Sequence, residues 1–530
     1  MEIINNKKDN IDNDNNINIS NINGFLQNFK QIVIEFGTIV YPLILFYYCF
    51  FSYGSINLFF ISRTDKVSDM INAIGIANLY VNITTGVIIN GITGALETLA
   101  SNAYGAKNYK LMGIYFDRCR YIAMTFWSIM GIIHFFFART ILGYLKVEER
   151  VIELTLEYIA ISIFSLLISI YFFVNQKHLV LIEKPKINFY VSLFSLIIQI
   201  IAGYLLVVLF KFGVRGSALS YLISSIFNSV TSTIILKRMD LEEGSLVFFT
   251  KDGLKDWNNY LKIAIPSVLI SGGEWIGYEL QSIFAIYISP LEYSTQIILV
   301  NLELIMFPYT GAINSAISMK SGDKLMTMKP EKLKNYFLMA YLFSFLCSIF
   351  VIIIIIFFGN YYFLIMSPNE EIYSNCCRIK LMVCWYIFAE NAYYFYMGCL
   401  KGYGYLKNTT FVTIIMFFVI SPILIYFLAF KWSLGVKGIW ESTSFTMTLG
   451  DILFIYWVFS FDLIKIKELA DKRINADNKN IIIDSIDEKE SFLKKNENSD
   501  KNKDENMNKE NNNIENKKKG DNIEMNNINS

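Results

Sequence analysis

Three glutamates, Glu274, Glu279 and Glu390, interrupt stretches that are otherwise apolar enough to cross a bilayer. A carboxylate in hydrocarbon is costly, so such a residue marks a functional site by default. Held there, a carboxyl group can take up and release a proton or pair with a cation. Burial and mutual repulsion favour the protonated form of at least one of them. Glu274 and Glu279 fall in 265–289, where Pro266, Gly272, Gly273 and Gly277 loosen a helix, and Glu390 falls in 381–400. Helix positions five apart are separated by about 140°, so Glu274 and Glu279 share a site only if it is wide or the helix bends. Trp275 shares a face with Glu279, and Tyr278 with Glu274, which offers an organic cation a ring beside each acid. The plainer alternative for each acid is a carboxyl bonded to a neighbouring helix.

The elements that must position these residues are membrane spans. Of 530 residues, 54% are hydrophobic and only 18% charged, and the charges crowd into loops and termini. Apolar runs of about 20 residues recur, the length a helix needs to cross a bilayer. Backbone groups in lipid must bond internally, so the runs are helices. Twelve spans are predicted: 32–60, 72–96, 119–144, 155–176, 187–210, 214–236, 262–289, 295–319, 336–358, 379–400, 409–430 and 437–460. The fold class is an all-α polytopic membrane protein. Residues 1–30 and 463–530 are Asn/Lys/Asp/Glu-rich tails expected to be disordered and cytoplasmic. Residues 31–237 and 261–462 form two six-helix lobes, joined by a charged cytoplasmic linker at 238–260. No signal peptide is visible.

The lobes read as repeats. Pro42 and Pro266 stand 224 positions apart, Gly213-Val-Arg-Gly216 and Gly435-Val-Lys-Gly438 stand 222 apart, and Thr93-Gly94-Ala95 and Thr310-Gly311-Ala312 stand 217 apart. Six spans per repeat make both halves enter the membrane in one direction. A parallel pseudo-twofold along the membrane normal follows, with a substrate path between the halves. Connections after the even-numbered spans are richer in Lys and Arg, which places them and both termini in the cytoplasm.

Chemistry of other kinds is poorly supplied. The seven cysteines form no CxxC pair and there are only two histidines, so no zinc site, disulfide framework or His-boxed metal centre is expected. With no nucleophile–base pair in view, an embedded enzyme is the least expected class. The net charge of +1 gives no reason to expect nucleic acid. Abundant Phe and Tyr rise together with Ile, Asn and Lys, a compositional bias that makes most of them packing or lipid-facing residues.

The segment Gly94-Ala-Leu-Glu-Thr-Leu-Ala-Ser-Asn-Ala-Tyr-Gly-Ala-Lys-Asn108, followed by Gly113-Ile-Tyr-Phe-Asp-Arg118, resembles the loop after the second span in the multidrug and toxic compound extrusion (MATE) family, eukaryotic type. Similar to it as well are Ala264-Ile-Pro-Ser267 with Glu274-Trp275, Phe307-Pro-Tyr309, and Glu390 with Gly398-Cys-Leu-Lys-Gly-Tyr-Gly404. The likeness covers roughly 30–460. It implies two lobes around a central cavity and export of a solute against entry of H⁺, or else Na⁺, with no other cofactor. By the same resemblance Glu274, Glu279 and Glu390 are coupling and substrate-binding acids, and Trp275, Tyr278, Asn82 and Tyr309 line the cavity. Two departures stand out: Asn102 occupies a usual Gln position, and Met319-Lys-Ser-Gly-Asp323 replaces an Asn/Gly-rich loop motif, which bears on rate or gating.

Other polar residues in apolar runs have simpler readings. Glu303 and Asp451 are assigned to structural hydrogen bonding, and Glu97 to bracing its loop through Lys107 or Arg118. His134 is read as a satisfied packing residue. The expectation is a monomeric, proton-coupled antiporter for small organic cations, in the plasma membrane or an acidic vesicle, its partners being the solute and the bilayer. Protons and solute would contend for acids wetted by a central chamber. The rivals are an organic-anion exporter or lipid-type flippase on the same plan, and a non-transporting membrane protein.

Overall fold

In a computed structural model the described residues are 2–63, 67–144, 147–367 and 370–479, with side chains described from Leu26 onward apart from 67 and 68. Twelve helical rods run through them. The first half comprises α1 (Glu2–Ile61), α2 (Asp69–Gly105), α3 (Tyr109–Tyr144), α4 (Glu149–Leu181), α5 (Pro185–Leu209) and α6 (Gly213–Arg238). The second comprises α7 (Trp257–Ile288), α8 (Pro290–Thr327), α9 (Pro330–Met366), α10 (Glu370–Tyr403), α11 (Leu406–Lys431) and α12 (Val436–Ser460). Among the described residues nine helices are apolar and long enough to span a membrane by themselves; α7 and α10, which carry the candidate glutamates, are not among the nine. Glu274 and Glu390 turn inward on them, so the two helices need no uniformly apolar surface.

The packing repeats as the sequence predicts. Helix α2 packs on α4 and α4 on α6, while α8 packs on α10 and α10 on α12. The backbone repeats too. Tyr204–Leu209 and Tyr426–Lys431 are π-turns ending α5 and α11, 222 positions apart. Each is closed by the same bond, from Phe212 N to Leu206 O and from Leu434 N to Leu428 O. Gly213 and Gly435 both take positive φ there, 55° and 62°, which glycine adopts without strain. The shared Gly-Val-Lys/Arg-Gly motif is therefore a shared corner.

The halves meet along a seam of α1 and α2 against α7, α8, α9 and α10. Exchanging one half for the other maps α1–α8 contact onto α7–α2 contact, as a twofold requires. At the seam a Cβ on Gly91 would collide with the backbone of Val268, and one on Gly322 with Ser101. Gly322 belongs to the Met319–Asp323 stretch read from sequence as a decayed motif; here it is the residue that lets the helices touch.

Two expectations need correction. The first helix continues back to Glu2 through a stretch expected to lack structure, since extending an existing helix costs far less than nucleating one. Past α12 the chain bends by 83° into α13 (Leu463–Lys479), so the helix takes in the first part of the supposed tail. Residues 480–530 lie outside the described residues. The linker 238–260 is itself fastened to α3. Asp117 accepts from Phe249 N at 2.9 Å and from Thr250 N and Oγ1 at 2.7 Å, and Arg120 donates to Val247 O at 2.9 Å.

Candidate functional site

Helix α10 presents Tyr386, Tyr393, Tyr394 and Glu390 to α7, α8 and α11 because residues three and four apart share a face. Glu390 is 1% exposed. Tyr386, one turn away, donates to its Oε1 at 3.1 Å, and Tyr278 from α7 reaches the same oxygen at 3.3 Å. The two hydroxyls lie 2.8 Å apart. Glu303 of α8 is buried beside Glu390.

One turn back along α7 from Tyr278, Glu274 is 6% exposed. It accepts from Tyr393 at 3.1 Å and Tyr394 at 3.4 Å, and Tyr393 also meets Thr413 of α11 at 3.0 Å. Both acids thus sit in the C-terminal lobe, each accepting from two phenols. A phenol can donate to a carboxylate and stay in place when the acid protonates, so the arrangement tolerates either state.

The remaining predicted residues divide. Trp275 is 37% exposed and Glu279 is exposed on the same face, so α7 turns Glu274 inward and Glu279 outward, as the 140° spacing requires. Glu279 therefore does not join the buried acids. Tyr309 is buried and donates to Ile387 O at 3.4 Å; it fastens α8 to α10. Asn82 opens a π-turn, Asn82–Gly86, in α2 of the other lobe, with its side chain exposed. The expectation that Glu274 and Glu390 open directly onto a water-filled chamber is not met in this conformation, because the tyrosines enclose both.

What faces the seam instead is aromatic. Phe307 of α8 lies edge-on to Trp275 at 6.5 Å, to Phe51 of α1 at 5.8 Å and to Tyr394 at 5.8 Å. These rings come from both halves, and Tyr394 links them to Glu274. Sequence reasoning quoted Phe307 only as part of a motif and set Glu303 aside; an acid four residues before an aromatic in an apolar run was the available signal. Asp451 on α12 is buried, but its Oδ1 has no hydrogen-bond partner among the described residues, contrary to its structural assignment. His134 is satisfied, with Tyr80 at 3.0 Å and Thr85 at 2.9 Å. Among the described residues no cluster of three or more His, Cys, Asp or Glu is placed to hold a metal ion.

One end of the seam is clasped by charge. Glu97 of α2 pairs with Lys177 of α4 and, at 2.8 Å, with Lys401 of α10; it does not brace Lys107 or Arg118 as expected. Thr98 Oγ1 donates to Lys401 O at 2.5 Å. Nearby, Lys320 of α8 pairs with Glu183 and, at 2.8 Å, with Glu35 of α1.

The MatE family profile matches residues 42–205 and 248–427. Human multidrug and toxin extrusion protein 1 is 22% identical over 471 residues, covering 87% of this chain and 80% of its own. Protein DETOXIFICATION 9 of Arabidopsis thaliana is 25% identical over 402 residues, covering 73% and 80%. Among solved structures, the eukaryotic MATE transporter AtDTX14 superposes with a TM-score of 0.75 at 17% identity, over 84% of this chain and all of that one.

Proposed function

This chain belongs to the MatE family of multidrug and toxin extrusion transporters, and on that premise we propose that it exports small organic cations in exchange for protons by rocking its two lobes. It is a multi-pass membrane protein and a transporter, not an enzyme. The observation that carries the choice of proton is the setting of Glu390, 1% exposed and accepting from the hydroxyls of Tyr386 and Tyr278, with Glu303 buried beside it. Phenol donors on every side favour proton traffic over a sodium ion, which wants converging oxygen acceptors.

The rings of Trp275, Phe307 and Phe51 offer cation–π faces at the lobe seam. Tyr278 and Tyr394 connect that surface to Glu390 and Glu274. Solute and proton then exclude each other through the phenol network instead of by touching the same oxygen. That differential affinity is what alternating access needs. The placing of both termini in the cytoplasm, and of the acidic face opposite them, belongs to the same proposal.

The test is uptake of radiolabelled tetraethylammonium into proteoliposomes under an imposed pH gradient. Wild-type protein should concentrate the cation, and Glu274→Gln and Glu390→Gln should each abolish gradient-driven uptake while expressing normally. Unchanged uptake in both variants, or uptake driven by a sodium gradient alone, would refute the reading.

A further inference from the structure

We propose that Lys401 couples the buried acid Glu274 to the clasp between the lobes, so that the carrier stays shut at this end while Glu274 is empty and charged. The inference rests on the exchange reading above.

Ser267 and Glu274 are seven apart on α7, and Tyr394 and Lys401 are seven apart on α10, so each pair shares one helix face. Tyr394 bonds Glu274 at one level. Two turns along, about 10 Å by the helical rise, Ser267 and Lys401 both line the spot where Gly94 of α2 presses in. Lys401 thus belongs to the lobe of Glu274 yet makes its ion pair with Glu97 across the seam. Lys401 lies within Coulombic reach of Glu274, as does Glu390, while Tyr393 and Tyr394 hydrogen-bond to it. On the other side of the seam, Lys177 is held by Glu97 with Tyr47 close by.

The charge count matters because this end of the seam is dry. Glu97 is 2% exposed and Lys401 9%. Closing the seam strips water from two ammonium groups, and one carboxylate, Glu97, lies directly between them. With Glu274 ionised, two negative charges balance two positive ones. With Glu274 neutralised by a proton or masked by a bound cation, one buried positive charge is left in excess, and a buried charge is tolerated only when compensated. Parting the lobes re-admits water to Lys401, so neutralising Glu274 favours parting. Over about 10 Å at a protein-like dielectric the effect amounts to about tenfold in a two-state equilibrium. An exchanger needs this asymmetry, because a carrier that reorients empty dissipates the gradient.

Spin labels at Ala106 and Thr327, two exposed positions flanking the clasp, would report its opening in a cysteine-free background. The distance distribution is measured in nanodiscs without solute, at pH 8.5. Wild type should show mainly the short distance, and Glu274→Gln should raise the long-distance population by about tenfold. In a Lys401→Met background the same Glu274→Gln change should have no further effect. Equal distributions for wild type and Glu274→Gln would overturn the proposal, and so would a Glu274→Gln shift that persists with Lys401→Met. Tetraethylammonium flux measured on the same wild-type preparation separates the two readings: flux without the shift sinks the coupling, and the shift without flux sinks the exchange function.

Discussion

Tyr278 and Tyr386 bring their hydroxyls to within 2.8 Å of each other, and both reach the same oxygen of Glu390. Three oxygens from α7 and α10 therefore share too few protons to satisfy every contact at once. Whichever way the bonds point, a proton arriving at Tyr278 can leave from Glu390 by rotation of two phenols. Tyr278 is half-buried and Tyr386 buried, so the pair runs from the accessible side of the site to its interior.

Removing either hydroxyl should slow exchange without unfolding the protein. Tyr278→Phe and Tyr386→Phe are each expected to lower the initial rate of pH-driven tetraethylammonium uptake by about a hundredfold, the low end for one positioned proton-transfer group. The KM for the cation should stay within about twofold. A raised KM with an unchanged maximal rate would assign the hydroxyls to binding.

Glu303 and Glu390 act as one acid pair, so their losses should not add. Glu303→Gln is expected to impair gradient-driven uptake nearly as much as Glu390→Gln, and the double variant should be no worse than the poorer single one. Rates in proteoliposomes at matched protein content decide this. A multiplicative double mutant would separate the two residues.

Trp275 offers its ring at the seam and touches none of the buried carboxyls, so its loss should affect binding. Trp275→Ala is expected to raise the KM for organic cations by about 2- to 30-fold, the equivalent of about 0.5–2 kcal/mol of cation–π attraction. A neutral isostere of the same cation should be affected much less. Concentration series for the two solutes supply the comparison.

The clasped end depends on Gly91, where a side chain would meet the backbone of Val268. In Gly91→Val the lobes cannot close there. Ser101→Cys, wholly buried in the closed seam, should then react readily with a membrane-impermeant maleimide. The same cysteine on the Gly91 background should be protected.

Asp117 is fully buried and accepts three bonds from the linker besides facing Arg120 at 3.7 Å. Asp117→Ala leaves those donors and a guanidinium uncompensated, a loss of about 3–5 kcal/mol. Thermal unfolding in detergent should show a marked fall in Tm. Asp117→Asn, whose carbonyl still accepts, should fall between that variant and wild type.

Much of this architecture is legible in the residues alone. Span lengths follow from bilayer thickness, and the Gly213/Gly435 corners betray the repeat because only glycine turns the chain there without strain. Glu274 and Glu390 stand out because a carboxyl is expensive among Ile and Phe. Their surroundings depend instead on which faces of α7, α8 and α10 meet. One helix gives Glu274 and Glu279 equal prominence in sequence, yet packing buries the first and exposes the second. Glu303 and Lys401 gain their meaning only across helices, from α8 to Glu390 and from α10 over the seam to Glu97. Local pattern fixes what each element is, because backbone and solvent act on every residue alike; long-range contacts between separate helices decide which charges become neighbours.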